Sequence, residues 1–169
     1  TVDGQITANG GVNLGDGSVV AGTGGHITIQ AYSDLTVSGA LHAEGGIARI
    51  AGLVDGGQGG HISLSALGTS GTATIGGTVN VDGGDSDSKA GGVAGSVTVQ
   101  AGGNIIVSGH IDVIGGFADG ESAVSAGNGG TIDMSSTSGA VVVQSTGKLH
   151  ALGGDVTGAE PPRDPGAEA

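Results

Sequence analysis

The chain has 169 residues and a mass of 15.7 kDa; 40 residues are glycine and three are proline, and there is no cysteine or tryptophan and only one tyrosine and one phenylalanine. Glycine at more than three times its usual share of about 7% excludes an ordinary helical or α/β domain, and the lack of a Gly-x-x triplet rich in proline excludes collagen. Sixteen acids against four bases leave a net charge of −12: nucleic acid and anionic membrane are unsuited as partners, and thiolate metal sites and disulfides are ruled out.

The chain is still apolar enough to fold. It holds 39 Val, Ile, Leu and Phe residues, of which 30 are β-branched Val or Ile, the types that pack best on a pleated sheet. No apolar run reaches the roughly 18 residues that cross a bilayer as a helix, and no secretory signal is evident.

In chain order, the first element is Val2-Asp3-Gly4-Gln5-Ile6-Thr7-Ala8-Asn9-Gly10-Gly11, an apolar-x-Gly-x-apolar pattern closed by a glycine pair. Gly24-Gly25 then opens His26-Ile27-Thr28-Ile29-Gln30-Ala31, whose strict alternation predicts a strand. After a gap at 31–35, the first pattern returns as Val37-Ser38-Gly39-Ala40-Leu41-His42-Ala43-Glu44-Gly45-Gly46. Further units open at Gly59, Ala94 and Gly129, each 35 residues after the last, with strands at 61–66, 96–101 and 131–136. The Gly-centred pattern recurs at 75–84, 107–116 and 143–154, the last copy carrying a two-residue insertion. In it, Gly4, Gly39, Gly77 and Gly109 take the inward parity between two apolar residues, where a missing side chain lets the chain turn a corner.

Three short strands per unit and a fixed period predict an all-β fold: a single parallel β-helix, or β-solenoid, of four to five rungs of 35 residues. Helices are excluded by glycine, each interior one costing about 1 kcal/mol relative to Ala. The solenoid spans 1–158, with a partial repeat near 1–23 and repeats near 24–58, 59–93, 94–128 and 129–158; residues 159–169 read as a Pro-containing C-terminal tail. Rungs stacked about 4.8 Å apart place Ile27, Ile62, Val97 and Ile132 in one inward column and Ile29, Leu64, Val99 and Met134 in a second. Leu41, Val79, Ile111 and Leu149 form a third with Ile6, and Val37, Ile75, Val107 and Val143 a fourth.

The pattern Gly-Gly-x-Ile-x-Ile-x-Ala, then Val-x-Gly-x-Ile-x-Ala-x-Gly-Gly, resembles the shafts of filamentous-haemagglutinin-like secreted bacterial proteins and other large extracellular right-handed parallel β-helices, from residue 1 to about 154. The resemblance implies secretion, an extracellular or cell-surface location and a role as shaft, adhesin or filament, with cell-surface or matrix glycans as conceivable external contacts.

Candidate chemistry is sparse. His26 and His61 share an outward column on adjacent rungs, with rings about 5 Å apart; His42 and His150 share another with Asn80 and Asp112. A zinc site wants three or four convergent ligands, and solvated ladder positions are the plainer reading. Acids gather after each glycine pair, and Asp82, Asp85, Asp87, Asp119 and Glu121 are the candidates for weak calcium binding through oxygen, although no Gly-Gly-x-Gly-x-Asp nonapeptide is present. No other cofactor is expected. Neither is catalysis, because none of Arg49, Lys89, Lys148 and Arg163 falls on a strand beside paired carboxylates. The ladder Thr28, Ser63, Thr98, Asp133 offers an ice-facing surface as a lesser reading.

No cap is legible at either end, so the terminal rungs expose backbone to edge pairing. Val2 and Ile6 at one end, and Val143, Leu149, Pro161 and Pro162 at the other, are the expected assembly residues of a head-to-tail homopolymer, since an unlike contact that does not close yields a filament. The alternative is a shaft segment of a larger secreted adhesin. Ile47, Ile50, Leu53, Phe117 and Val124 in the variable segments are candidates for covering a rung edge.

Overall fold

The computed structural model describes residues 1–14, 20–49, 54–120 and 125–157. Glu121, Pro161, Pro162, Ile50, Leu53, Val124 and the tail at 159–169 therefore lie outside the described residues. Within them the chain is an all-β parallel solenoid of about four turns, without helices.

Three parallel sheets enclose the main core. The widest is built from His26–Ala31, His61–Ala66, Ser96–Ala101 and Thr131–Ser136, paired residue for residue. A second stacks Leu35–Val37, Ala73–Ile75, Ile105–Val107 and Val141–Val143. The third runs from Ile6–Thr7 through Leu41–His42, Thr78–Asn80 and His110–Asp112 to Lys148–His150. Each strand lies on its counterpart one rung away, so like side chains stack on like and the aliphatic columns fill a continuous narrow core.

In the middle rungs these columns are dry: Ile62, Leu64, Val79, Val97, Val99 and Ile111 are fully buried, and Leu41 with them. At the ends they are not. Ile29, Ile132 and Met134 are half-buried and pack against the core from one side, while Leu149 is 36% and Val143 43% exposed. Reading Ile132, Met134 and Leu149 as core on a par with Leu64 therefore needs amending: they lie in the inward columns, but among the described residues no further rung covers their outer side.

The period is less uniform than a 35-residue count implies. The third-sheet partners Ile6, Leu41, Val79, Ile111 and Leu149 are separated by 35, 38, 32 and 38 residues. The turn between Ala66 and Ala73 is three residues longer than the equivalent one between Ala31 and Leu35. A later segment of the same rung is three residues shorter, eight residues from Gly84 to Gly92 against 11 from Gly46 to Gly57, which restores the 35-residue spacing of the wide sheet. In the last rung the insertion falls between Val143 and Lys148, and the corner glycine there is Gly147, the neighbour of Gly109.

The corner glycines are there for space. A side chain on Gly39 would run into the carbonyl oxygen of Gly4, one on Gly77 into that of Gly39, and one on Gly109 into that of Gly77. Gly4, in the first rung, has nothing within 4 Å on that side. Among the described residues only Gly120, at φ 113°, uses a backbone conformation that L residues rarely adopt.

The glycine pairs do more than bound the strands. After each third-sheet strand the chain leaves the main core along one leg (43–46, 81–84, 113–116), passes through a small second lobe, and returns along another leg (57–60, 92–95, 127–130). The legs touch backbone to backbone. The amide of Gly22 donates to Gly11, Gly46 to Gly22, Gly57 to Gly46, Gly84 to Gly57, and so on through Gly92, Gly116 and Gly127 to Gly154, at 2.7–3.0 Å. Outgoing and returning legs thus alternate up one hydrogen-bonded column. A side chain on Gly57, Gly92 or Gly127 would overlap the carbonyl of a neighbouring leg, so only glycine permits this approach. The column is a neck dividing each rung into two compartments. Beyond it, Ala21, Ala48 and Val54 form a second small core, and Asn13, Ala48, Ser86 and Ala118 stack as its ladder.

Candidate functional site

The candidate surfaces are the first and last described rungs and the outward columns. At the first rung Val12 and Leu14 are 53% and 74% exposed and Ile6 is 39% exposed; Val2, bridged to Val37, continues the second-sheet column. At the last rung Val141 and Val142 join Val143, Leu149, Leu152 and Val156 as uncovered aliphatics. Both columns that reach the two ends, Val2 to Val143 and Ile6 to Leu149, begin and finish in aliphatic residues.

The outward face of the third sheet carries a polar column. Asn9 and Glu44 grip each other, the Asn9 amide donating to Glu44 Oε2 at 3.0 Å and the Glu44 N–H to Asn9 Oδ1 at 2.9 Å. His42 Nδ1 lies 2.8 Å from Glu44 Oε1, and His150 Nδ1 lies 2.7 Å from Asp112 Oδ1. Asn80 stands between His42 and Asp112 in the register.

The acidic residues are mostly tied into the stack. Asp82 Oδ1 accepts the Ile114 N–H at 2.6 Å and Asp85 Oδ1 the Phe117 N–H at 2.9 Å, each reaching the next rung. Asp55 likewise accepts the Ala90 N–H at 3.3 Å and pairs with Lys89 Nζ at 3.3 Å. Asp34 caps the Thr72 N–H at 2.8 Å. A carboxylate before the rung above thus satisfies an amide that a loop would otherwise leave unpaired. Sequence alone shows only that acids gather after each glycine pair; the signal for these roles is an acid about one rung before a loop amide, visible only once register is known.

Of the calcium candidates, Asp82 and Asp85 line one groove of about 270 Å³ with Glu44, Asn80, Ile47 and Phe117. Asp119 Oδ1 accepts the Thr157 hydroxyl at 3.0 Å, and Asp87 is exposed. Among the described residues no three His, Asp or Glu side chains come together as a metal-holding group. Burial is the main reason that the Asp82 carboxyl is held above its ordinary value of 3.8; hydrogen bonds from Ile114 and Asn80 oppose the shift, while Asp112 and Glu44 add to it.

On the wide sheet the outward columns run His26, His61, Ser96, Thr131; Thr28, Ser63, Thr98, Asp133; and Gln30, Ser65, Gln100, Ser135. Ser65 is buried, so the face is uneven. The rings of His26 and His61 are 6.0 Å apart and edge-on. No helix among the described residues is long and apolar enough to cross a membrane. No protein-family model, curated protein or solved structure gives a significant match to the chain.

Proposed function

We propose that the protein is a non-enzymatic structural unit of an extracellular surface filament, its rungs continued end to end by a second copy of the same chain. The supporting observation is the complementarity of the two ends: Leu149 and Val143 stand uncovered at one end in the columns that Ile6 and Val2 open at the other. A copy seated on the last rung extends each aliphatic column by one step and pairs strand edges in the same parallel register. Because the two faces are unlike, the contact propagates instead of closing. The likeness of the repeat to filamentous-haemagglutinin-like shafts supports an extracellular setting, where glycans of the cell surface or matrix are the natural lateral contacts.

A second reading, a shaft segment of a larger secreted adhesin, is favoured by the same open columns if further rungs of one chain cover them. Gly4 separates the two. Its side toward a preceding rung is open, whereas the equivalent sides of Gly39, Gly77 and Gly109 are filled by a carbonyl. Gly4→Ala therefore leaves the single subunit intact and obstructs a second copy. The test is negative-stain electron microscopy and light scattering of wild type and Gly4→Ala over a concentration series. The homopolymer requires long uniform fibres from the wild type and short rods from Gly4→Ala, with equal melting temperatures at dilutions where both are unassembled. Wild-type protein that stays as rods of about 20 Å, four rungs at about 4.8 Å, even when concentrated, would falsify the homopolymer and leave the spacer.

A further inference from the structure

His26 and His61 are partnered residues on neighbouring strands of the wide sheet, with ring centroids 6.0 Å apart and planes at 88°. The other histidines are placed differently: His42 and His150 each contact a carboxylate, and His110 sits between Thr78 and Lys148. A divalent ion about 2.0–2.1 Å from an imidazole nitrogen lies about 3.2 Å from that ring's centroid. Two rings on one ion therefore have centroids about 4.5 Å apart when the bonds are at right angles and about 6.4 Å apart at most. The observed separation falls inside this range.

Two further features favour a ligand. The His61 Nδ1 lies 2.7 Å from the Ser96 hydroxyl oxygen; with Nδ1–H donating to that oxygen, Nε2 keeps a bare lone pair, the tautomer that a metal ligand needs. The two rings also border a groove of about 560 Å³ floored by Gly24, Gly59, Gly60 and Gly95, with no Lys or Arg along it. That leaves room for water in the remaining coordination positions, in a chain whose net charge of −12 attracts cations.

We propose that His26 and His61 form a two-imidazole site for a divalent transition-metal ion, completed by water. Copper(II) binds it most tightly and nickel(II) and zinc(II) more weakly, following the intrinsic order for nitrogen ligands. Ser96 is a positioning residue that holds the His61 ring and its tautomer. The site does not depend on filament formation.

The test is copper(II) titration of the full chain at neutral pH by calorimetry, with electron paramagnetic resonance on the loaded protein and circular dichroism to verify that each variant is folded. One ion per chain with a two-nitrogen hyperfine pattern is expected. Either His26→Gln or His61→Gln weakens binding by at least about tenfold, Ser96→Ala by about tenfold, and His42→Gln and His110→Gln leave it unchanged. Wild-type affinity in both His26→Gln and His61→Gln, a one-nitrogen spectrum, or loss of binding in His42→Gln instead overturns the assignment.

Discussion

Asp82 meets two opposed demands: it must stay an acceptor for the Ile114 N–H, and its charge sits partly buried near Glu44 and Asp112. A carboxyl whose folded value lies above its unfolded one binds protons more readily folded, so ionising it weakens the fold. Its contribution is most favourable below the ordinary value of 3.8 and is lost as pH rises through the raised folded value. Asp82→Asn keeps an acceptor oxygen and removes the charge. The variant is expected to melt above the wild type at pH about 7, the two curves converging below about pH 4; thermal melts across pH check this, and a variant that melts lower at neutral pH refutes it. None of this was legible in the sequence. The acid was visible, but its partner lies 32 residues away, a separation that departs from the 35-residue period.

Inward columns were the most legible part of the molecule at the level of strands, because period-2 alternation and a long repeat together fix both which side is buried and which residues stack. Ile27 with Ile62 and Val37 with Ile75 follow from that alone. Depth along the axis does not, and it separates Leu64 from Met134, neighbours in one column through Val99. Leu64→Ala is expected to cost about 2–5 kcal/mol, and Met134→Ala clearly less in the unassembled subunit, as read by urea denaturation. Equal losses would mean that the last rung is covered. The glycine legs were the least legible element. A double glycine reads as a turn in a single sequence, and the pairing of Gly46 with Gly22 and Gly57 joins legs that are not repeats of one another. Gly92→Ala places a methyl on the Gly57 carbonyl and is expected to destabilise by about 3 kcal/mol or more, far beyond Gly4→Ala; comparison of their unfolding midpoints decides it.

Viewed whole, the molecule is a two-compartment coil. The segments between outgoing and returning legs differ in length: 11 residues separate Gly46 from Gly57, but eight separate Gly84 from Gly92. The neck holds both ends of each such segment at a fixed backbone spacing, so a change in its length is not transmitted to the aliphatic columns. Each side lobe is therefore a separately closed loop, whose closure cost grows only by about 0.6 kcal/mol per doubling of length. The coil is in this sense a rail with ready-made mounting points, where foreign peptide can be spliced at every turn, at a pitch of about 4.8 Å, without re-engineering the beam that carries it.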